Sequence, residues 1–162
     1  MSPRNLTLFR HASAVSAGPA GDFNRPLKKK GIEKTRQNSE FLCEKGYSPD
    51  LVISSPALRA LQTAEIFSET IEPQYPVDDI LKFKSLYMPS IEDILEILKQ
   101  LNSDYSDVFL FSHNNGISFF AQYLSGNHAI LMPAGAAVRI EVDLVSWAEI
   151  RQGSGRLVDF LP

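Results

Sequence analysis

Three short stretches of this sequence bring imidazole, guanidinium and hydroxyl groups together: Arg10-His11, residues 55–59 with Ser55 and Arg59, and Ser112-His113. Imidazole serves as nucleophile or general base near neutral pH. Guanidinium offers planar, paired donors that match phosphate oxygens. Two of each, gathered at one point, suit attack on a phosphoryl group whose charged oxygens need compensation. Taken singly, each residue has a plainer explanation. A histidine at a strand end is more often a hydrogen-bonded packing residue, and Arg59 alone reads as a helix surface residue. Two histidines with Asp22 also fit a metal site, since imidazole is a common zinc ligand. Against that, two adjacent arginines repel a divalent cation and attract an anion.

The elements around these clusters decide whether they can meet. Residues 5–9 read as a short strand ending on Arg10-His11. Leu51-Val52-Ile53-Ser54 is a continuous apolar run of the kind buried on both faces of a parallel sheet, and residues 107–112 form another that ends at His113. Helical patterns lie between them. One runs from Leu27 to a stop at Gly46. A second covers residues 57–70, with Ser55 expected as N-cap and Pro56 at the first helical position. Ser90 caps a third, whose Ile91, Ile94, Leu95, Leu98 and Leu101 make a core stripe, and residues 117–124 form a fourth. A weak strand is expected over residues 77–81. Residues 136–142, 144–150 and 156–160 read as antiparallel strands. The order predicts an α/β fold: a three-layer sandwich with a mainly parallel central sheet, helices on both faces and antiparallel strands at the C-terminal end. In such sheets ligands bind beyond the carboxyl ends of the strands, where all three clusters fall. The length, 162 residues, predicts one domain over 1–162.

Composition narrows the function classes. A net charge of −3 argues against nucleic acid, which wants a basic face. The basic run Lys28-Lys29-Lys30 reads as a solvated helix start. One cysteine, Cys43, excludes an intramolecular disulfide, suits a reducing compartment and reads as small core filler. The apolar run at residues 6–9 is too short for a signal peptide, and no stretch has the length of a membrane span. The expectation is a soluble cytoplasmic protein with no membrane partner.

Leu8-Phe9-Arg10-His11-Ala12 resembles the motif that opens the histidine phosphatase superfamily, whose larger members include the phosphoglycerate mutases. Residues 54–64, Ser-Ser-Pro-Ala-Leu-Arg-Ala-Leu-Gln-Thr-Ala, resemble its second signature, and Phe111-Ser112-His113-Asn114 its third. The short length, residues 22–27 and Ser85-Leu86-Tyr87 are most similar to the small SixA-type phosphohistidine phosphatases. The resemblance implies roles. His11 would be the nucleophile and carry the phosphoryl group. Arg10 and Arg59 would clamp its equatorial oxygens, and His113 would donate to the same oxygens as a cation or through an N–H. Arg25 and Ser13 would be further substrate contacts, and Asp22 a proton donor. Neither metal nor organic cofactor is implied. His128 matches no motif and reads as a loop residue.

Larger family members place a glutamate general acid in a segment after the third strand; the corresponding stretch here, residues 85–89, has no carboxylate. Glu92 and Asp93 come next, but there they complement a helix dipole. A missing acid matters most for alkyl esters, whose alkoxide must be protonated. Phosphohistidine differs, because its imidazole takes a proton on the free nitrogen and leaves neutral. The sequence also lacks a long lid insertion, so an open site could admit a phosphorylated protein, such as a phosphotransfer domain or phosphocarrier. A small-molecule phosphomonoesterase using the same residues is the alternative, and a phosphoprotein-binding module without turnover is a more distant one.

Overall fold

The computed structural model describes residues 2–162. Six strands, β1 (Arg4–Arg10), β2 (Leu51–Ser54), β3 (Leu81–Lys82), β4 (Asp107–Ser112), β5 (Ala137–Val142) and β6 (Gly155–Leu161), form one sheet in the order β3-β2-β4-β1-β5-β6. The first four are parallel, and β5 and β6 add antiparallel partners on the β1 side. Helices α1 (Lys29–Glu44) and α2 (Leu58–Thr70) contribute Leu42, Ala64 and Phe67 to a core on one face, against Phe9, Val52, Phe109 and Phe111. Helices α3 (Ile91–Lys99) and α4 (Gly116–Ser125) cover the other face, packing Ile94, Leu98, Ile117 and Phe120 on Leu6, Leu8, Ile53 and Leu110. Burial on both faces is why β2 and β4 carry unbroken apolar runs. This is the expected three-layer α/β sandwich.

Register sets up the site. Arg10 on β1 lies opposite Ser112 on β4, and Ser54 on β2 opposite Phe111, so the three carboxyl ends finish level with one another. Each strand then releases its next few residues onto the same edge.

Three expectations need correcting. Residues 144–150 are not a strand: Leu144, Trp147 and Ile150 are buried at spacing three, and a 3-10 turn covers Trp147–Glu149, with Ser146 accepting from the Ala148 N–H. Residues 77–81 also fall short of a strand, since Val77–Asp79 is a 3-10 turn and only Leu81–Lys82 pairs with β2. Finally, α2 begins at Leu58 with Ala57 as its N-cap, so Ser55 and Pro56 precede the helix and Ser55 is left to other work.

Candidate active site

His11 sits just past β1, half-buried. Its Nδ1 lies 2.8 Å from the Ala12 carbonyl oxygen, which can only accept, so Nδ1 carries the proton. The lone pair is then on Nε2, where Arg59 Nε donates to it at 3.3 Å. Burial lowers the His11 pKa to about 4, aided by the charges of Arg59, Arg10 and Arg25, so the ring is neutral near pH 7. The segment is fixed from α2. The Ala12 N–H donates to Thr63 Oγ1 at 3.1 Å, and that hydroxyl donates to the Arg59 carbonyl at 2.7 Å.

His113 follows β4 and is buried, with its ring centroid 5.2 Å from that of His11. Its Nε2 is 2.8 Å from Ser55 Oγ. That hydroxyl accepts the Ala57 N–H at 3.2 Å and has no other acceptor for its own proton among the described residues, so its proton is assigned to Nε2 and the ring proton to Nδ1. Burial lowers the His113 pKa to about 3, with His11 and Arg59 acting the same way. The ring is therefore neutral, which leaves the N–H donor of the two forms expected from sequence. His113 Nδ1 has no partner among the described residues, and neither does Arg10 Nε. A buried donor left unmatched is costly, so two such atoms in one cluster point to a ligand that takes them.

The guanidinium groups differ in how they are engaged. Arg10 donates through Nη1 to the Met132 carbonyl at 2.8 Å. Arg59 is buried, and both of its terminal nitrogens are on Asp22: Nη1 on the backbone carbonyl at 2.8 Å, Nη2 on Oδ2 at 3.1 Å. Asp22 opens a 3-10 turn, Asp22–Asn24, in the loop after His11, and its bonds to Arg59 hold that loop against the site. The same carboxylate accepts from Arg25 Nη1 at 3.0 Å and from the Tyr87 hydroxyl at 2.5 Å. Tyr87 and Arg25, with Arg59 assisting, hold its pKa well below the usual carboxylate range. A carboxyl group so firmly ionised has no proton to give, which counts against the donor role expected for it. Arg25 spends its Nε on the Val15 carbonyl at 2.6 Å, so its charge reaches His11 while its hydrogen bonds do not. Ser13 lines a cleft with Lys30, Gly31, Lys34 and Ala134, a lining that includes neither imidazole. Asp93, the other nearby carboxylate, accepts the Ser90 N–H in a capping box. His128 is exposed in the loop after α4. Among the described residues no three His, Cys, Asp or Glu side chains gather as a metal cage would.

Sequence reasoning placed Ser55 in a cluster at the strand ends but gave it no role there, and it singled out neither Thr63 nor Tyr87 for the site. Ser55 and Thr63 stand in the second signature, so the signal was present, but it was spent on capping and helix pattern. Tyr87 carries an edge-on contact to the His113 ring at 5.4 Å, and the Arg59 guanidinium lies 6.0 Å from its centroid. Nothing in its local sequence announces that.

A parallel sheet with antiparallel additions, helices on both faces and paired imidazoles at the strand ends is the architecture of the phosphoglycerate mutase-like fold. The family description of the histidine phosphatase superfamily (branch 1) matches residues 6–82, which hold His11 and Arg59, and over that stretch the chain is similar to that superfamily. An uncharacterized chloroplastic protein of Arabidopsis thaliana is 28% identical over 165 residues, covering 94% of this chain and 72% of the plant protein. The SixA structure from Agrobacterium tumefaciens superposes with a TM-score of 0.83 at 23% identity, over 100% of this chain and 99% of that one. The protein histidine phosphatase SixA complexed with tungstate gives 0.83 at 21%, over 97% and 96%. At these identities the structural likeness speaks for the fold.

Proposed function

We propose that this protein is a phosphatase that removes the phosphoryl group from phosphohistidine on a partner protein, through a covalent intermediate on His11. The observation that carries the reading is the His11 ring: neutral, with its proton pinned on Nδ1 and its Nε2 lone pair held among guanidinium groups. Nε2 attacks phosphorus, the P–N bond to the substrate imidazole breaks, and that imidazole leaves neutral with a proton on its other nitrogen. Arg10 and Arg59 balance the charge on the equatorial oxygens, and His113 Nδ1–H donates to one of them. Water then attacks the phosphorus on His11, releasing inorganic phosphate and restoring the ring. Binding of tungstate, a tetrahedral oxyanion, by the SixA relative supports the oxyanion reading.

The substrate class rests on the missing acid. Residues 85–89 carry no carboxylate, Asp22 is held ionised, and Asp93 is spent on its cap. Such a site favours a leaving group that needs no protonation from the enzyme. The single thiol, Cys43, is compatible with a cytoplasmic setting. In the described residues no helix is long and apolar enough to cross a membrane.

The test is phosphate release from a phosphohistidine-bearing protein, with para-nitrophenyl phosphate as comparison substrate and His11→Ala beside the native protein. The expected result is faster turnover of the phosphohistidine than of the ester. His11→Ala should lose on the order of 10³-fold or more in kcat. Turnover of the ester alone would retain the chemistry and replace the substrate class by small phosphomonoesters. Binding of the phosphoprotein with no turnover of either would make the protein a recognition module.

A further inference from the structure

Nine large apolar side chains are exposed among the described residues, and they are not scattered evenly. Five of them, Val15, Phe23, Met88, Phe119 and Leu131, belong to segments bonded to the catalytic cluster. Four of these lie on segments that adjoin residues of the site. The Phe23 ring meets Tyr87 edge-on at 5.3 Å, and Met88 follows Tyr87 in the chain. Met88 and Phe119 line one cleft of about 240 Å³ together with Asn114 and Asn115, the two residues after His113. Ser118, next to Phe119 in the chain, accepts the Met132 N–H at 3.0 Å, and the Met132 carbonyl takes Arg10 at 2.8 Å, so the segment that carries Leu131 is tied both to α4 and to the site. The exposures are 40% for Phe23, 57% for Met88, 50% for Phe119 and 66% for Leu131. Met88 also sits at φ 52, a left-handed conformation that a non-glycine residue adopts at a cost. Folding gains nothing from a costly backbone that turns an apolar side chain to water.

Building on the phosphatase reading, we infer that these four side chains form a docking rim for a folded protein whose phosphohistidine stands in an apolar surface patch. The floor of the site supplies cationic and N–H donors for the phosphoryl group; the rim supplies apolar contact for what surrounds it. A contiguous apolar patch on a soluble protein marks an interaction surface, and contacts of this kind concentrate their energy in a few aromatic and aliphatic anchors. The rim residues sit on four separate segments, each open to solvent. A small aryl or alkyl group would reach one of them, whereas a protein surface reaches all. A carboxylate stands among the rim residues, Asp22 beside Phe23, which disfavours an anionic lipid surface.

The experiment compares the native protein with Met88→Ser/Phe119→Ser/Leu131→Ser. Substrates are a helical phosphotransfer protein phosphorylated on its surface histidine, free phosphoramidate and para-nitrophenyl phosphate. The expected result is a fall of roughly tenfold in kcat/KM for the protein substrate, carried mainly by KM. Phosphoramidate and the aryl ester should remain within about twofold, the size of a neutral surface change. Unchanged turnover of the protein overturns the inference. So does an equal fall for all three substrates, or loss confined to the aryl ester, which would make the rim a leaving-group site. Binding of the native protein, but not the variant, to phosphatidylglycerol vesicles would also overturn it in favour of a membrane. If the native protein hydrolyses phosphoramidate but not the phosphoprotein, the rim assignment fails while the phosphatase reading stands. If it hydrolyses none of the three, the phosphatase reading itself fails and takes the rim with it.

Discussion

Asp22 offers the buried Arg59 guanidinium a carbonyl and a carboxylate oxygen, the pair of acceptors that a phosphoryl group would otherwise present. It therefore occupies donors that the proposed substrate would use, and its charge opposes an incoming dianion. Asp22→Asn keeps an acceptor oxygen for Arg59 and removes that charge. Inorganic phosphate should then inhibit at a concentration roughly two- to fivefold lower, the worth of a largely solvent-screened charge contact. The kcat for an alkyl monoester such as glycerol phosphate, whose alkoxide must be protonated as it leaves, should hold within about threefold. A fall of ~10²-fold or more would instead identify Asp22 as the general acid. The sequence could place Asp22 in a loop after the nucleophile. It could not reveal the three partners, because Arg25, Arg59 and Tyr87 converge on it from separate segments.

Elements deliver the site residues through a few close approaches. Helix α1 is pressed against the nucleophile segment at Gly31, where a Cβ would stand 2.4 Å from the Ser13 carbonyl oxygen and 3.0 Å from its nitrogen. Those are backbone atoms, and the Lys28 N–H donates to the same carbonyl at 2.9 Å. In an open helix, glycine to alanine gains up to about 1 kcal/mol. Here the clash outweighs that gain, and Gly31→Ala should destabilise by roughly 1–3 kcal/mol, the cost of overpacking. Urea unfolding reads it, with Gly18→Ala, whose Cβ meets nothing within 4 Å, as the neutral control. A neutral or stabilising Gly31→Ala would mean that the segment carrying His11 shifts freely. The strand ends were legible in the sequence for a related reason. Elements buried on both faces write continuous apolar runs, and the runs stop where chemistry begins. Residues 144–150 misled because Leu144, Trp147 and Ile150 repeat at spacing three while Val145 stays exposed, a pattern that composition alone cannot separate from an edge strand. Ser55 misled because Ser-Pro ahead of a helix is a capping signal, and only the approach of β4 to β2 turns its hydroxyl toward His113.

Two uncharged imidazoles beside three guanidinium groups set a cost that the molecule as a whole carries. In the folded chain His11 titrates at about 4 and His113 at about 3, against about 6.5 for an unperturbed histidine in the unfolded chain. Below that ordinary value the unfolded chain takes up protons that the folded chain refuses. Stability therefore rises with pH across this window and falls as acid is added. Between about pH 6.5 and pH 5 ordinary carboxylates remain ionised in both states, so the histidines dominate the slope. Over that interval the native protein should lose on the order of 2–4 kcal/mol of unfolding free energy, up to about 2 per imidazole. His11→Asn/His113→Gln should flatten the curve, because neither replacement titrates. Saturating inorganic phosphate should act in the opposite sense to the arginines: an anion between the rings favours their protonated forms, raises both folded-state values and so shrinks the acid loss. Urea midpoints at about pH 7, 6 and 5, with and without phosphate, test all three statements. A native profile flat across this range would mean that the rings titrate in the folded protein as they do in the unfolded chain, and one that rises toward acid would mean that they are charged when folded, which would remove the neutral imidazole on which the proposed mechanism depends.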